Sequence, residues 1–86
     1  MEINRDMFAL VSGGVVIPLT RYEFKIADAL SSRPGVVRTR EELTDLITEV
    51  GSDRDIRCID SHVRRMRRKG VTAIKTRLGF GYYWET

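Results

Sequence analysis

The segment 55–69, DIRCIDSHVRRMRRK, ends at Gly70 and separates its apolar and cationic residues sharply. At about 100° per residue, with Ile59 taken as zero, Ile56, Val63 and Met66 all fall within roughly 60° of it. Arg57, Ser61, Arg64, Arg65 and Arg68 fall on the opposite side, between roughly 140° and 240° by the same construction. His62 and Lys69 flank one edge of that face, and Asp60 and Arg67 flank the other. From Ser61 to Gly70 there are five basic residues and no acidic one. Like charges at helical spacing repel, so a solvated face ordinarily mixes signs. Crowded guanidinium groups make physical sense if phosphates neutralise them, and arginine also donates two hydrogen bonds to guanine O6 and N7. Ser61, small and central, leaves room for close approach to base edges. The plain alternative is a solubilising helix with a chance arginine stripe, and the helices that precede it argue against that.

Two capping boxes place those helices. Thr20 and Glu23 in TRYE start a helix to about Ser32, with Phe24, Ala27 and Leu30 on one stripe and Ile26 beside it. Pro34 and Gly35 end it. Thr39 and Glu42 in TREE start a second helix over residues 40–50, with Leu43, Leu46, Ile47 and Val50 on one face and Gly51 as its C′ residue. A polar loop, residues 52–55, joins it to the arginine helix. Residues 7–11 (MFALV) and 15–19 (VVIPL) around Gly13-Gly14 predict an N-terminal β-hairpin. Pro18 confines the second strand to an edge or ends it. Residues 73–77 and 82–84 predict a closing hairpin around Leu78-Gly79-Phe80-Gly81. Lys75 and Arg77 alternate on one strand of it and share a face, while Ile74, Tyr82 and Trp84 are candidates for the core.

The chain of 86 residues is one domain's worth of sequence, so residues 1–86 are expected to form a single domain. Its net charge of +3 divides into −2 over residues 1–51 and +5 over residues 52–86, which points to a polyanionic partner for the second half. Cys58 is the sole cysteine, which excludes an intrachain disulfide, suits a reducing cytoplasm and marks it as a small filler. The longest uncharged run, residues 7–20, is too short and too broken by Gly and Pro to cross a bilayer, so no membrane partner is expected. One His, one Cys and no metal-ligand spacing argue against an enzyme, a metal site or a cofactor.

The order strand, strand, helix, helix, helix, strand, strand, with these motifs, resembles the OmpR/PhoB-type effector domain of bacterial response regulators. The matching stretches are LTRYEF at 19–24, RPGVV-R at 33–38, TREEL at 39–43, DIRCIDSHVRRMRRK at 55–69 and IKTRLGFGYYW at 74–84. The pattern RxxDxHVxxMR followed by TxxGxGY is the specific part of the likeness. The resemblance implies an α+β, winged helix-turn-helix fold: a short N-terminal antiparallel sheet, three helices and a C-terminal β-hairpin wing.

It further implies that helix 55–69 enters the major groove of double-stranded DNA with hairpin 73–84 as the wing. Ser61 and Arg65 match base-contacting positions. Arg57, Cys58, His62, Arg64, Arg67 and Arg68 match positions on or near the DNA backbone. Arg40, Thr76 and Tyr82 match phosphate contacts, and Arg77 joins them as a wing cation. The loop 48–55 matches the segment that touches RNA polymerase in activators, and two copies on direct repeats form the expected homodimer on DNA. Docking on RNA polymerase or another regulator, with little DNA contact, is the competing function.

Three departures stand out. Leu78 occupies a place where the family often carries Arg. The N-terminal sheet is trimmed to two or three strands from the usual four. No phosphoacceptor receiver sequence is present, and with Met1 and the trimmed sheet this favours a stand-alone regulator of phage type over an excised effector domain. The DNA reading requires that Arg57, Arg65 and Arg68 stay clear of this chain's own carboxylates.

Overall fold

The Gly13-Gly14 pair makes the tight turn that starts the fold. Both residues sit at positive φ, +55° and +83°, as a two-residue hairpin loop of the I′ kind demands. In the computed structural model, residues 1–47 and 57–85 are described, with the side chains of Arg57 and Cys58 excepted. Three antiparallel strands come first: β1 (Glu2–Asn4), β2 (Ala9–Ser12) and β3 (Val15–Pro18), in spatial order β1-β2-β3. Three helices follow, α1 (Arg21–Ser31), α2 (Arg40–Ile47) and α3 (Arg57–Lys69), and then the hairpin β4 (Ile74–Arg77) and β5 (Gly81–Trp84). The helices and the two small antiparallel sheets make the α+β winged helix-turn-helix arrangement.

The N-terminal sheet differs from its sequence reading at its start, where β1, not among the predicted strands, adds a third strand paired with β2. Met7 and Phe8 were expected in a strand but lie in the turn between β1 and β2. Asn4 shapes that turn: its side-chain oxygen accepts from the Asp6 and Met7 amides, both at 3.0 Å. Phe8 takes φ +52°, and its ring meets Phe24 edge-on at 5.1 Å. The register then begins at Ala9, which pairs with Pro18 on the edge strand.

Helix α1 carries the full capping box. The Glu23 amide donates to Thr20 Oγ1 at 3.3 Å, and the Thr20 amide donates to Glu23 Oε1 at 2.9 Å. At α2, Thr39 Oγ1 accepts from the Glu42 amide at 3.1 Å, while the Glu42 carboxylate faces the Thr39 hydroxyl and the Arg38 guanidinium. The predicted apolar face of α2 needs one correction. Leu43 and Ile47 are buried, but Leu46 is 53% exposed and Thr44 is buried in its place. The short helix presents the arc 43, 44 and 47 to α1 and α3. The Thr44 hydroxyl is satisfied there by donating to the Arg40 carbonyl at 2.8 Å. The expected end of this helix, residues 48–50, the Gly51 cap, the loop 52–55 and Ile56 lie outside the described residues.

One core joins all layers. Leu10 and Ile17 from the sheet meet Ile26, Ala27 and Leu30 of α1, Leu43 of α2, and Ile59, Val63 and Met66 of α3. Ile74, Tyr82 and Trp84 close it from the hairpin. The link before α2 also pairs with β5: the Arg38 amide donates to the Tyr82 carbonyl at 2.8 Å, and the Tyr82 amide returns a bond to Arg38 at 3.0 Å. This pairing makes the hairpin an extension of the helical core.

That bridge decides what Gly81 is for. A Cβ built there meets the Arg38 carbonyl oxygen at 2.0 Å, whereas one built at Gly79 meets nothing within 4 Å. Gly79 is needed for its φ of +82° alone. Gly79→Ala should therefore cost about 1–2 kcal/mol, the left-handed penalty. Gly81→Ala should cost more, about 2–4 kcal/mol, because backbone must also part. Urea unfolding of the two variants checks the order.

Candidate nucleic-acid interface

Helix α3 folds as its pattern requires. Ile59, Val63 and Met66 are at most 1% exposed, and Ser61, Arg64, Arg65 and Arg68 lie on the exposed side. Arg57 and Cys58 belong to the first turn of α3, and their side chains are not among those described. The face thus exists as a surface, and two carboxylates approach it from opposite edges.

Glu23 forms the first edge. It is fully buried, yet it is ionised among cations: Lys69 Nζ donates to its Oε1 at 2.6 Å, and Arg65 Nε stands 3.6 Å from Oε2. Burial alone raises a carboxyl's pKa. Here the Lys69 hydrogen bond, the Thr20 amide and the charges of Lys69 and Arg65 outweigh it and hold Glu23 below its ordinary value. Lys69 also donates to the Pro18 carbonyl at 3.2 Å, pinning the end of α3 to the edge strand. Arg65 donates to Nδ1 of His62, and its side chain remains 47% exposed. His62 is half-buried beside the Tyr22 ring, with centroids 5.6 Å apart. Burial and the neighbouring Arg65 charge lower its pKa, so it is neutral at pH 7.

Asp60 forms the second edge. Arg40 Nε donates to its Oδ1 at 2.7 Å, and the Tyr82 hydroxyl donates to the same oxygen. Desolvation pushes the Asp60 pKa up, but Tyr82, Arg40 and the Arg64 charge bring it below the ordinary value. Burial and Asp60 in turn raise the Tyr82 phenol. The Arg40 and Arg67 guanidiniums lie over the Tyr82 ring, 5.3 and 5.6 Å from its centroid. With Arg64 and Arg68 these groups line one open concavity between α2, α3 and β5. Arg68 has no ion pair or hydrogen bond among the described residues.

Several expected contact residues are therefore already engaged. Arg67 spans from α3 to the hairpin, donating to the Ile74 carbonyl at 3.1 Å and to Thr76 Oγ1 at 2.8 Å. Tyr82 is 4% exposed and belongs to the core as much as to the surface. Arg77 is exposed at the hairpin end, its guanidinium 5.8 Å from the Phe80 centroid. Of the three arginines required to stay clear of carboxylates, Arg65 is partly paired with Glu23. The roles of Glu23 and Asp60 as anchors were not legible beforehand. Glu23 was accounted for by its capping box, and the only signal for Asp60 was an acid at the rim of a basic helix. The loop 48–55, matched to polymerase contact, lies outside the described residues.

This arrangement agrees with comparisons to known proteins. Residues 14–84 match the family model for the C-terminal domain of transcriptional regulatory proteins. The chain belongs to that family. The transcriptional regulatory protein CseB of Streptomyces coelicolor is 35% identical over 83 residues, which is 95% of this chain and 36% of CseB. CreB of Escherichia coli K12 is 35% identical over 87 residues, covering 94% of this chain and 38% of CreB. The chain thus spans little more than a third of the length of these curated relatives. Among solved structures, the DNA-binding domain of Bacillus subtilis CssR superposes with a TM-score of 0.82 at 27% identity, over 96% of this chain and 97% of that one. The response regulator AdeR DNA-binding domain, solved in complex with an intercistronic region, gives 0.79 at 28% identity over 99% and 93%. The fold is the OmpR/PhoB-type winged helix.

The charge pattern sets a pH dependence. The folded-state pKa of His62 lies below 6.5, so the unfolded chain binds more protons and stability falls as pH drops below about that value. Glu23 and Asp60 have folded pKa values below their ordinary 4.5 and 3.8, so their stabilisation is present above those values and is lost as pH falls through the folded ones. Thermal melts from pH 7 to 3 should show two successive declines. His62→Gln should remove the upper one only. At pH 7, Glu23→Ala should lower stability by about 3 kcal/mol, the low end for breaking a buried pair, because Lys69 and Arg65 can turn to solvent.

Proposed function

We propose that this chain is a sequence-specific, double-stranded-DNA-binding module of a transcription regulator, with α3 in the major groove and the β4–β5 hairpin beside it as the wing. The observation that carries this reading is the division of α3. Its apolar side is sealed in the core, and Ser61, Arg64, Arg65 and Arg68 stand together on the exposed side. A helix of this diameter fits the major groove, and its exposed side there meets base edges and phosphates. The relatives' printed descriptions as transcriptional regulatory proteins, and AdeR's complex with an intercistronic region, support the same reading.

Ser61 and Arg65 take the base-reading roles. The contact between Arg65 and Glu23 is long, 3.6 Å, and together with the bond from Arg65 Nη2 to His62 it orients the guanidinium, with Nη1 and the remaining Nη2 proton facing a guanine edge. Arg64, Arg68 and Arg40 meet phosphates around the concavity, with Arg57, Cys58, His62, Thr76 and Arg77 near the backbone on either side. Tyr82 and Arg67 act chiefly by holding the hairpin and Arg40 in place. No helix among the described residues is long and apolar enough to cross a membrane, and such a regulator works in the cytoplasm. Two copies on direct repeats, one helical turn apart, complete the arrangement.

Selection from a random duplex library should return a defined site. On it, Arg65→Ala should lose about 1–3 kcal/mol and relax base preference at one position. Arg40→Ala should instead weaken all sequences alike and reduce the slope of log K against log salt by about 0.9. Unchanged site affinity in Arg65→Ala removes it from base readout.

A further inference from the structure

Arg65 stands between two acceptors. Its Nη2 donates to Nδ1 of His62, one helical turn earlier, and its Nε lies 3.6 Å from Oε2 of Glu23. Arginine has no acceptor atom, so the first bond exists only while the imidazole is neutral and carries its proton on Nε2. The second contact is longer than a hydrogen bond. The two Glu23 oxygens are used unequally. Oε1 accepts from both the Thr20 amide and Lys69. Oε2 is buried and has no hydrogen-bond partner among the described residues. A buried, ionised oxygen left without a donor is costly, and the guanidinium that His62 holds is the donor beside it.

The surroundings of His62 make that choice depend on one proton. Among the described residues, Tyr22 and Glu23 face the ring from α1, and Arg65 faces it from α3. Lys69 joins the group through Glu23, and Lys25 stands over the Tyr22 ring, 5.7 Å from its centroid. Glu23 titrates below its ordinary 4.5 and His62 below its ordinary 6.5, so acidification from neutrality reaches the imidazole first. An imidazolium offers Arg65 no lone pair and repels it. The guanidinium then has one acceptor left, the vacant Oε2, and a charge-assisted bond there closes the gap to about 2.8 Å.

We propose that neutral His62 is a positioning residue that holds Arg65 outward for base readout, and that protonating it hands Arg65 to the open oxygen of Glu23, so that the chain keeps its hold on DNA but loses base discrimination. This rests on the DNA-binding reading above. A guanine edge takes two parallel hydrogen bonds, which Arg65 supplies from Nη1 and Nη2 together. Once Nη2 turns inward with Nε, only Nη1 remains outside. The phosphate contacts of Arg40, Arg64 and Arg68 are untouched, and the imidazolium adds a positive charge beside them. Affinity for any duplex therefore rises with acid while the preference for one sequence falls.

The probes are the duplex recovered by library selection and a scrambled duplex of equal length, bound by the full chain at about pH 7.5 and about pH 5.5. In wild type the ratio of the two affinities should fall about tenfold on acidification, the worth of one bidentate base contact. Affinity for the scrambled duplex should rise, with a salt slope steeper by about 0.9. His62→Asn puts an acceptor in the place of Nδ1 and does not titrate. It should weaken both duplexes alike and keep the high ratio at both pH values. His62→Leu packs beside Tyr22 but accepts nothing, and its ratio should be low at both. In the free chain, the NMR signals of the Arg65 side-chain nitrogens should move with the same midpoint as those of the His62 ring. If His62→Leu does not fold, the wild-type and His62→Asn profiles decide. A wild-type ratio that ignores pH, a His62→Asn ratio that falls in parallel with wild type, or Arg65 signals that do not follow His62 overturns the proposal, while a preferred duplex at pH 7.5 leaves the DNA reading standing. Equal affinity for the two duplexes at both pH values overturns the DNA reading itself and the proposal with it.

Discussion

A carboxylate without solvent access ties α3 to the rest of the domain. Glu23 caps its own helix through Thr20, and its two oxygens then face Lys69 and Arg65 on α3. An ion in this position is costly unless every side of it is compensated. The compensation comes from the last turns of α3, so that helix can take few positions relative to α1. Its Oε2 lacks a full hydrogen bond and faces Arg65 at the longer distance, which leaves that arginine oriented without being consumed.

Asp60 performs the matching task at the far edge. It joins α2, α3 and β5 through Arg40 and Tyr82, and Arg67 adds a second link from α3 to the hairpin. Two acids thus position a surface whose centre holds arginines and Ser61 but no carboxylate. Repulsion among the arginines is relieved at its margins, where the helix is anchored, and persists in the middle, where Arg64 and Arg68 face solvent. A polyanion would relieve what remains.

Much of the fold was legible because its signals are local. The Thr20–Glu23 capping box, the Gly13-Gly14 turn and the period of Ile59, Val63 and Met66 each depend on neighbours within a few residues. Met7 and Phe8 were misplaced because the Asn4 side chain competes with strand pairing, a short-range polar effect hidden inside an apolar run. Leu46 was misplaced because a short helix between two others buries an arc set by their positions, not by its own composition. The candidate site was legible as a set of cations on one side of α3. Which of them are already engaged was not, since Arg40, Arg67 and Lys69 meet partners many residues away.

The amino-acid order alone determined the elements from β2 onward, the two-sided character of α3, the acid-free stretch ahead of the C-terminus and the glycines at the hairpin turns, because each follows from periodicity, charge and backbone sterics along the chain. Only the tertiary structure decided that Glu23 and Asp60 are the anchors of the surface, that Arg67 and Tyr82 brace the hairpin, that Gly81 makes room for the Arg38 carbonyl, and that Leu78 and Phe80 stand clear at the tip. Those facts depend on which distant segments come within a few ångströms of one another. Packing of the shared core sets that, and local sequence does not encode it.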